Sequence, residues 1–594
     1  MRLAWWLALF YALAGLAGGG LAALVWKAVR KGRNWQVEDQ HGRGAVFAGL
    51  LIFALLFFWN FDSFYHYSTF EFWLLVRRLL TESFVPFNAE GALNLGLLIL
   101  LVAVSGVITY ALLRLRRWLG AEGWREVGVG ALVATLLLPW VGEAGISFAG
   151  GDQPAPLLAR PGRKVLLIGV DALDWKIGDE LMAAGELPNL KALASRGVAG
   201  PLQTFVPAYS PMVWTTIATG RQIAEHNIRH FSAYSLGGVV AIQPLVEPSL
   251  LLGNPYALRL LGQLGAIQPG SVTSNTRKAP AFWELASQAD LTATVLGWWA
   301  TAPAEAINGI MVSDYATHTD LSAGELESQV YPPAVTGMVA AELQAARNLP
   351  QEWLERLFSL TPEEWAQLKA AGPDAQPSEM REIVHSLEHD YGLLSIAKHC
   401  LHAGQPEVLA LYLEGIDTVG HLALHYWLST DPGSLDQEDL RKYRGTARAY
   451  YHLVDQWVGE LCQTVDPETY ILVVSDHGFS LEQPPHYFHH KSGPAGMIFL
   501  SGPTIAQGAL DKAHVLDVTP TLLYLLGLPV ARDMEGRVLE DAFTPAFKEK
   551  YPPAFIPSYA AYRPALYHGD GGTGKTAQAS EAVVNRLKTL GYIE

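Results

Sequence analysis

Four short stretches carry residues whose types and spacing could do metal-assisted chemistry. The apolar run KVLLIGV ends on Asp171, and Ser210-Pro211 opens a later helical run, so an acid and a hydroxyl stand where strands end and helices begin. A cation that lowers the pKa of a hydroxyl makes it a nucleophile, and carboxylates hold such a cation. Each residue alone has a plainer reading, since an acid after a strand often caps the next helix and Ser210 could be an ordinary N-cap. Two further stretches add weight. Asp417 and His421 stand four apart in GIDTVGH, so on one helical turn they face the same way and can grip one cation. Asp476 and His477 follow the apolar run YILVVS, where unpaired polar groups would be costly. A cluster of His486, His489 and His490 comes next, just before GMIFLSG; one of these can complete a set of aspartates and histidines shared with Ser210 across two cations.

Such a constellation needs elements that bring distant segments to one place. The runs KVLLIGV, TATVLGWW, VLALYLEG, YILVVSD and GMIFLSG read as strands alternating with helical stretches. That alternation predicts an α/β domain with a mostly parallel sheet sandwiched by helices, and ligands in such sheets gather at the carboxyl ends of the strands. The charged interval 323–402, with SLTPEEWAQLKAAG inside it, is expected to be a helical insertion, either a cap over the site or a pair of solvated packing helices.

The amino-terminal quarter has a different character. The chain has 594 residues, is 50% hydrophobic and only 17% charged, which is more apolar than a soluble enzyme of this size. Apolar runs at Leu3 to Trp26, Ala45 to Phe61, Gly91 to Leu113 and Val127 to Gly145 each approach the ~20 residues that cross ~30 Å of hydrocarbon. They predict an all-helical membrane region of four spans over 1–149. Phe64 to Trp73, followed by Arg77 and Arg78, reads as an interfacial helix. Basic residues crowd the loop between the first two runs (Lys27, Arg30, Lys31, Arg33, Arg43) and the loop between the last two (Arg114, Arg116, Arg117, Arg125), so both loops are expected in the cytoplasm. The Pro- and Gly-rich linker 150–162 then leads to one large domain, 163–594, on the periplasmic or extracellular side of the inner or plasma membrane. The net charge of −15 argues against a nucleic-acid partner, and two cysteines, Cys400 and Cys462, make no disulfide framework.

From about Lys164 to Glu594 the residues resemble the type I phosphodiesterase/nucleotide pyrophosphatase branch of the alkaline phosphatase superfamily. The resemblance rests on VLLIGVDALDW, YSPMVWTTIATG, GWWATAPAEAINGIMVSD, YLEGIDTVGH, VVSDHGF, MIFLSGP and VLDVTPTLLYLLGLPVARDMEGRVL. It implies an alkaline-phosphatase-like fold in which Asp171, Ser210, Asp476 and His477 hold one metal. Asp417, His421 and a later histidine, His490 or else His489, would hold the other. Zinc suits this mixed set, with manganese second. The resemblance further implies two-metal phosphoryl transfer through a phosphoseryl intermediate on Ser210, with water or an alcohol as acceptor, hence a phosphodiesterase or a phosphotransferase moving a lipid- or glycan-linked headgroup. Pro211-Met212-Val213 stands where nucleotide pyrophosphatases carry Phe-Pro-Asn, which argues against nucleotide substrates, and the Ser210 segment lacks the residues sulfatases need to make formylglycine.

Other features weigh less. His425 reads as a packed helix residue, Trp298 and Trp299 as aromatic core, and the GDGGTGKT stretch at 569–576 as an accidental match to a phosphate-binding loop, since no apolar strand precedes it. A complete ligand set disfavours a membrane binding protein with an idle site. A phosphodiester or lipid-linked phosphoryl substrate is expected, and the oligomeric state is left open. Reporter domains fused after Gly150 should be active only when exported; activity confined to the cytoplasm would reverse the orientation.

Overall fold

The computed structural model describes residues 163–235, 241–242, 268–318, 321, 323–371, 377–480 and 493–559. The four apolar runs, the interfacial segment, the 150–162 linker, His486, His489, His490 and the 569–576 stretch lie outside the described residues. Among the described residues no helix is long and apolar enough to cross a membrane.

The large domain is built on one ten-stranded mixed sheet. Its strands are β1 (Val165–Val170), β2 (Val198–Gln203), β3 (Ala293–Leu296), β4 (Gly309–Val312), β5 (Val330–Tyr331), β6 (Val408–Leu413), β7 (Tyr470–Val474), β8 (Gly496–Ser501), β9 (Gly508–Ala509) and β10 (Ala513–His514). In space they run β9-β2-β8-β7-β1-β6-β3-β4-β5, with β10 also on β2. The central block β7-β1-β6-β3-β4 is parallel, whereas β8 is antiparallel to both β7 and β2, and β5 is antiparallel to β4. The five apolar runs read as strands are β1, β3, β6, β7 and β8.

Central strands need apolar residues on both faces, and β1, β6 and β7 are buried at every position. Their side chains alternate between two cores. Leu167, Ala410 and Leu472 point into one, with Met212, Val213, Trp214 and Ile217 of α2 (Ser210–Thr219); Ile168, Leu411 and Val473 point into the other. The second core is covered by α1 (Trp175–Ala183), α3 (Ser378–Ala403), α4 (Gly415–Leu428) and α5 (Thr446–Thr464). The described residues of the 323–402 interval are mostly helical, broken by β5, and the last helix, α3, buries Leu387, Leu393, Ile396 and Ala397 in this core. That last helix is therefore a layer of the domain.

Register decides where the site falls. Val170 pairs with Leu413, and Gly169 pairs with both Tyr412 and Val474, so β1, β6 and β7 end level. Asp171, Glu414 and Ser475 leave the sheet side by side, and the amide of Asp171 still donates to Leu413 O at 2.8 Å.

α4 starts flush against α5. A Cβ built on Gly415 would overlap the Tyr450 phenol ring, whereas one on Gly445 meets nothing within 4 Å. Gly415→Ala should therefore destabilise the domain by about 1–3 kcal/mol and lower its Tm, while Gly445→Ala leaves the Tm near that of the parent; equal melting of the two variants would show that the α4–α5 contact gives way without cost.

Candidate functional site

The turn after β1 separates two acids with different duties. Asp174 caps α1, its Oδ1 accepting from Ile177 N at 3.0 Å, and its Oδ2 takes the amide of Phe479 at 3.0 Å. Asp171 is thus released from capping. Ala172 between them holds φ at 57°, a left-handed conformation that costs an ordinary residue about 1–3 kcal/mol and marks backbone held in place by its surroundings. Its amide donates to Asp476 Oδ1 at 3.2 Å, tying the end of β1 to the end of β7.

Around that tie the candidate ligand side chains converge. His477 Nε2 lies 3.4 Å from Asp171 Oδ1 and 3.3 Å from Asp476 Oδ2, all three residues being buried. Asp171, Asp417 and His477 each bring one ligand atom within 4.8 Å of the others. On the first turns of α4, His421 Nε2 stands 3.5 Å from Asp417 Oδ1, so the four-residue spacing does turn both toward one point.

Ser210 belongs to a helix that packs in the opposite core. It is buried and occupies the first turn of α2, but Tyr209 is the cap residue: its carbonyl accepts from Met212 N at 2.9 Å and Val213 N at 3.0 Å. The N-cap reading of Ser210 therefore fails, and its hydroxyl is left for other work. Trp214, four residues on and so on the same face of the helix, donates its Nε1–H to Asp171 Oδ2 at 3.1 Å. Tyr412, near the end of β6, donates its hydroxyl to the same oxygen and receives Trp299 Nε1–H at 2.8 Å. Burial, with Asp171 beside it, pushes the Tyr412 phenol well above its ordinary pKa, so it stays a donor.

Sequence reasoning did not single out Tyr412 or Trp214, and it took Trp299 for core; in an apolar strand or helix an aromatic residue carries no mark of a polar duty. Trp298 is core, as expected, and His425 packs on the Tyr426 ring.

Electrostatically the site is short of positive charge. Burial first, then Asp476 and Asp417, raises the Asp171 carboxyl well above the usual carboxylate range, and burial pushes Asp476 up to about 6. Among the described residues no lysine or arginine pairs with either. Asp171 Oδ1, Ser210 Oγ and Asp476 Oδ2 are buried yet have no hydrogen-bond partner. Leaving such atoms bare costs about 1–3 kcal/mol each, and more for charged groups; the two carboxylate oxygens beside the His477 imidazole are a donor set that a divalent cation satisfies. The residues present thus fit a metal. His490, expected to complete the second set with Asp417 and His421, lies outside the described residues.

A family model described as type I phosphodiesterase / nucleotide pyrophosphatase matches residues 165–493. No curated protein matches the chain. Among solved structures, phosphonoacetate hydrolase from Sinorhizobium meliloti is similar at 16% identity over 54% of this chain and 57% of its own, with a TM-score of 0.30. Phosphonate monoester hydrolase from Silicibacter pomeroyi is similar at 15% identity over 65% and 78%, TM-score 0.33. A variant of the alkaline phosphatase PafA is similar at 13% identity over 65% and 100%, TM-score 0.36. The chain thus spans little more than half the length of the first of these.

The donors on Asp171 Oδ2 aim its other oxygen at the cluster, as partners of metal ligands do. Tyr412→Phe should weaken divalent-metal binding by about 10–100-fold in chelator-competition titrations, without loss of fold; an unchanged affinity would mean that Trp214 alone suffices to hold Asp171.

Proposed function

The chain belongs to the type I phosphodiesterase/nucleotide pyrophosphatase family, whose pattern runs over more than half of it, and we propose that it is a phosphoric ester hydrolase, a membrane-anchored phosphodiesterase acting at the outer membrane face through Ser210. One observation carries the reading: the bare buried atoms of Asp171, Ser210 and Asp476 coincide with three of the four residues that the family resemblance assigns to one metal.

Two divalent cations, both zinc or, as the alternative, manganese, would be held by Asp171, Ser210, Asp476 and His477 and by Asp417, His421 and His490 or else His489, and would supply Lewis-acid charge to the nucleophile and the leaving oxygen. The chain's own residues do the rest. Ser210 Oγ gives up its proton and attacks phosphorus in line; the bond to the leaving alcohol breaks with its electron pair on the departing oxygen, which takes up a proton. Water then attacks the phosphoseryl phosphorus, and Ser210 Oγ leaves and regains a proton. Trp214 and Tyr412 keep Asp171 from rotating through the cycle. The fixed start of α2 holds Ser210 in place.

A diester suits this site better than a monoester. The Ser210 turn and the ligand segments carry no arginine or lysine apart from Lys491, and a dianionic monoester asks for one more positive charge than a monoanionic diester. Four apolar runs before residue 150 further support a substrate with one end in the bilayer, a phospholipid or lipid-linked phosphoryl group.

Ser210→Ala should abolish turnover of a bis-nitrophenyl phosphate reporter while the protein stays folded and keeps much of its metal; activity within about tenfold of the parent would remove Ser210 from the mechanism. With matched esters, kcat/KM should favour the diester, and a monoester preference that disappears in Lys491→Ala would withdraw the diesterase assignment.

A further inference from the structure

A second group of borderline ligands stands behind the first. His318 ends the short turn Ala316–His318 that follows β4, His389 lies in α3, and Glu414 sits between β6 and α4. Their ligand atoms lie within 4.8 Å of one another. His389 is buried, and the other two are half-buried. The His318 and His389 rings stack at 5.6 Å and 24°. Nδ1 of His389 is 3.7 Å from Glu414 Oε1 and 3.1 Å from Asp390 Oδ1. None of the three is among the seven residues assigned to the catalytic pair of metals.

The blander reading is a histidine pair packed beside a carboxylate. Three observations favour a cation instead. Two imidazoles and a carboxylate, a combination that suits zinc, arrive from three separate elements at one point. Zinc bonds of about 2.0–2.1 Å at tetrahedral angles need donor atoms roughly 3.3 Å apart, so small side-chain rotations close the set. Asp390 also behaves as the outer partner of a ligand histidine. It receives the amides of Glu414 at 2.8 Å and Gly415 at 3.0 Å and the Tyr450 hydroxyl at 2.9 Å, so it is fixed, and by taking the Nδ1–H of His389 it would leave Nε2 of that ring for the cation. Beside the group opens a cleft of about 490 Å³ lined by His318, His385, Glu388 and His389, which leaves room for a water or an external ligand at a further coordination position.

We propose that His318, His389 and Glu414 form a further divalent-cation site, suited to zinc, separate from the Ser210 centre and open to this cleft. A cation there would cross-link the end of β4, α3 and the entry to α4, the helix that carries Asp417 and His421.

The test compares zinc content in the full-length chain. Protein stripped by chelator is re-equilibrated with zinc as the sole metal, dialysed, and counted by mass spectrometry beside His318→Ala, Glu414→Gln and Asp476→Asn. His318→Ala and Glu414→Gln should each bind about one zinc fewer than the parent, and Asp476→Asn combined with His318→Ala should lose more than either alone. Equal zinc in His318→Ala and the parent overturns the site, whatever the catalytic pair holds, because the reading is a difference. Should both variants fail to fold, zinc-edge anomalous scattering from crystals of the parent decides: a peak among His318, His389 and Glu414 supports the site, and its absence there, with zinc bound elsewhere, overturns it. Loss of turnover in Ser210→Ala tests the phosphodiesterase reading independently.

Discussion

Three carboxylates, Asp171, Asp417 and Asp476, are buried together at one edge of the sheet, and the energetic burden of that arrangement organises the domain around it. In a low-dielectric site, like charges only a few ångströms apart repel strongly, and each has also lost its hydration. Two responses are open to a protein: to bring in arginine or lysine, or to leave the compensation to cations. Among the described residues Asp171 and Asp476 have no arginine or lysine partner, and neutral donors from Trp214, Tyr412 and the Ala172 amide steer the carboxylates without cancelling their charge. A guanidinium there would hold the fold more securely and spoil the chemistry, since it would occupy the oxygens that a cation needs.

The steering groups come from both sides of the sheet. Asp171 is gripped by aromatic residues rooted in the α2 core, Trp214 itself donating from beneath Trp298, whose Nε1–H reaches Trp214 O at 3.2 Å. α4, which presents Asp417 and His421, is held from the other core, where Asp390 of α3 receives its first amides and Ser386 donates to Thr418 at 2.7 Å. The helical insertion thus serves the site from behind by fixing the start of a ligand-bearing helix. The exposed charge of SLTPEEWAQLKAAG gives no hint of this, because it belongs to a different helix from Asp390.

What could be read from the sequence, and what could not, follows the range of the interactions. Five strands were legible because unbroken apolar runs have few other uses, and the cluster of Asp171, Asp417, Asp476 and His477 was legible because acids and histidines at the ends of such runs are conspicuous. β2 escaped notice: VAGPLQ contains Gly200 and Pro201, both breaker signals, and holds its place by pairing with β8 and the short β9 and β10. The antiparallel placing of β8 was likewise hidden, since direction depends on the connection and not on composition. Tyr412 reads as one more apolar residue in VLALYLEG; only the register of β6 against β1 puts its hydroxyl on Asp171. That Asp174 and Tyr209, and not Asp171 and Ser210, hold the cap positions turned on local backbone geometry, which spacing alone does not encode.

The strand order has a consequence for how the protein comes into being. β1 lies between β6 and β7, yet it begins at Val165 while its partners begin at Val408 and Tyr470. At about 5–20 residues per second, a ribosome finishes β1 on the order of ten seconds or more before β6 emerges. Through that interval a wholly apolar strand has neither of its edges paired, the condition under which chains stick to one another. Because its central pairings join such distant segments, the sheet should close slowly once synthesis is complete, and the ligand cluster can form only at that closing step. Newly made chains would therefore pass through a long window of dependence on chaperones, during which they bear no preformed metal centre.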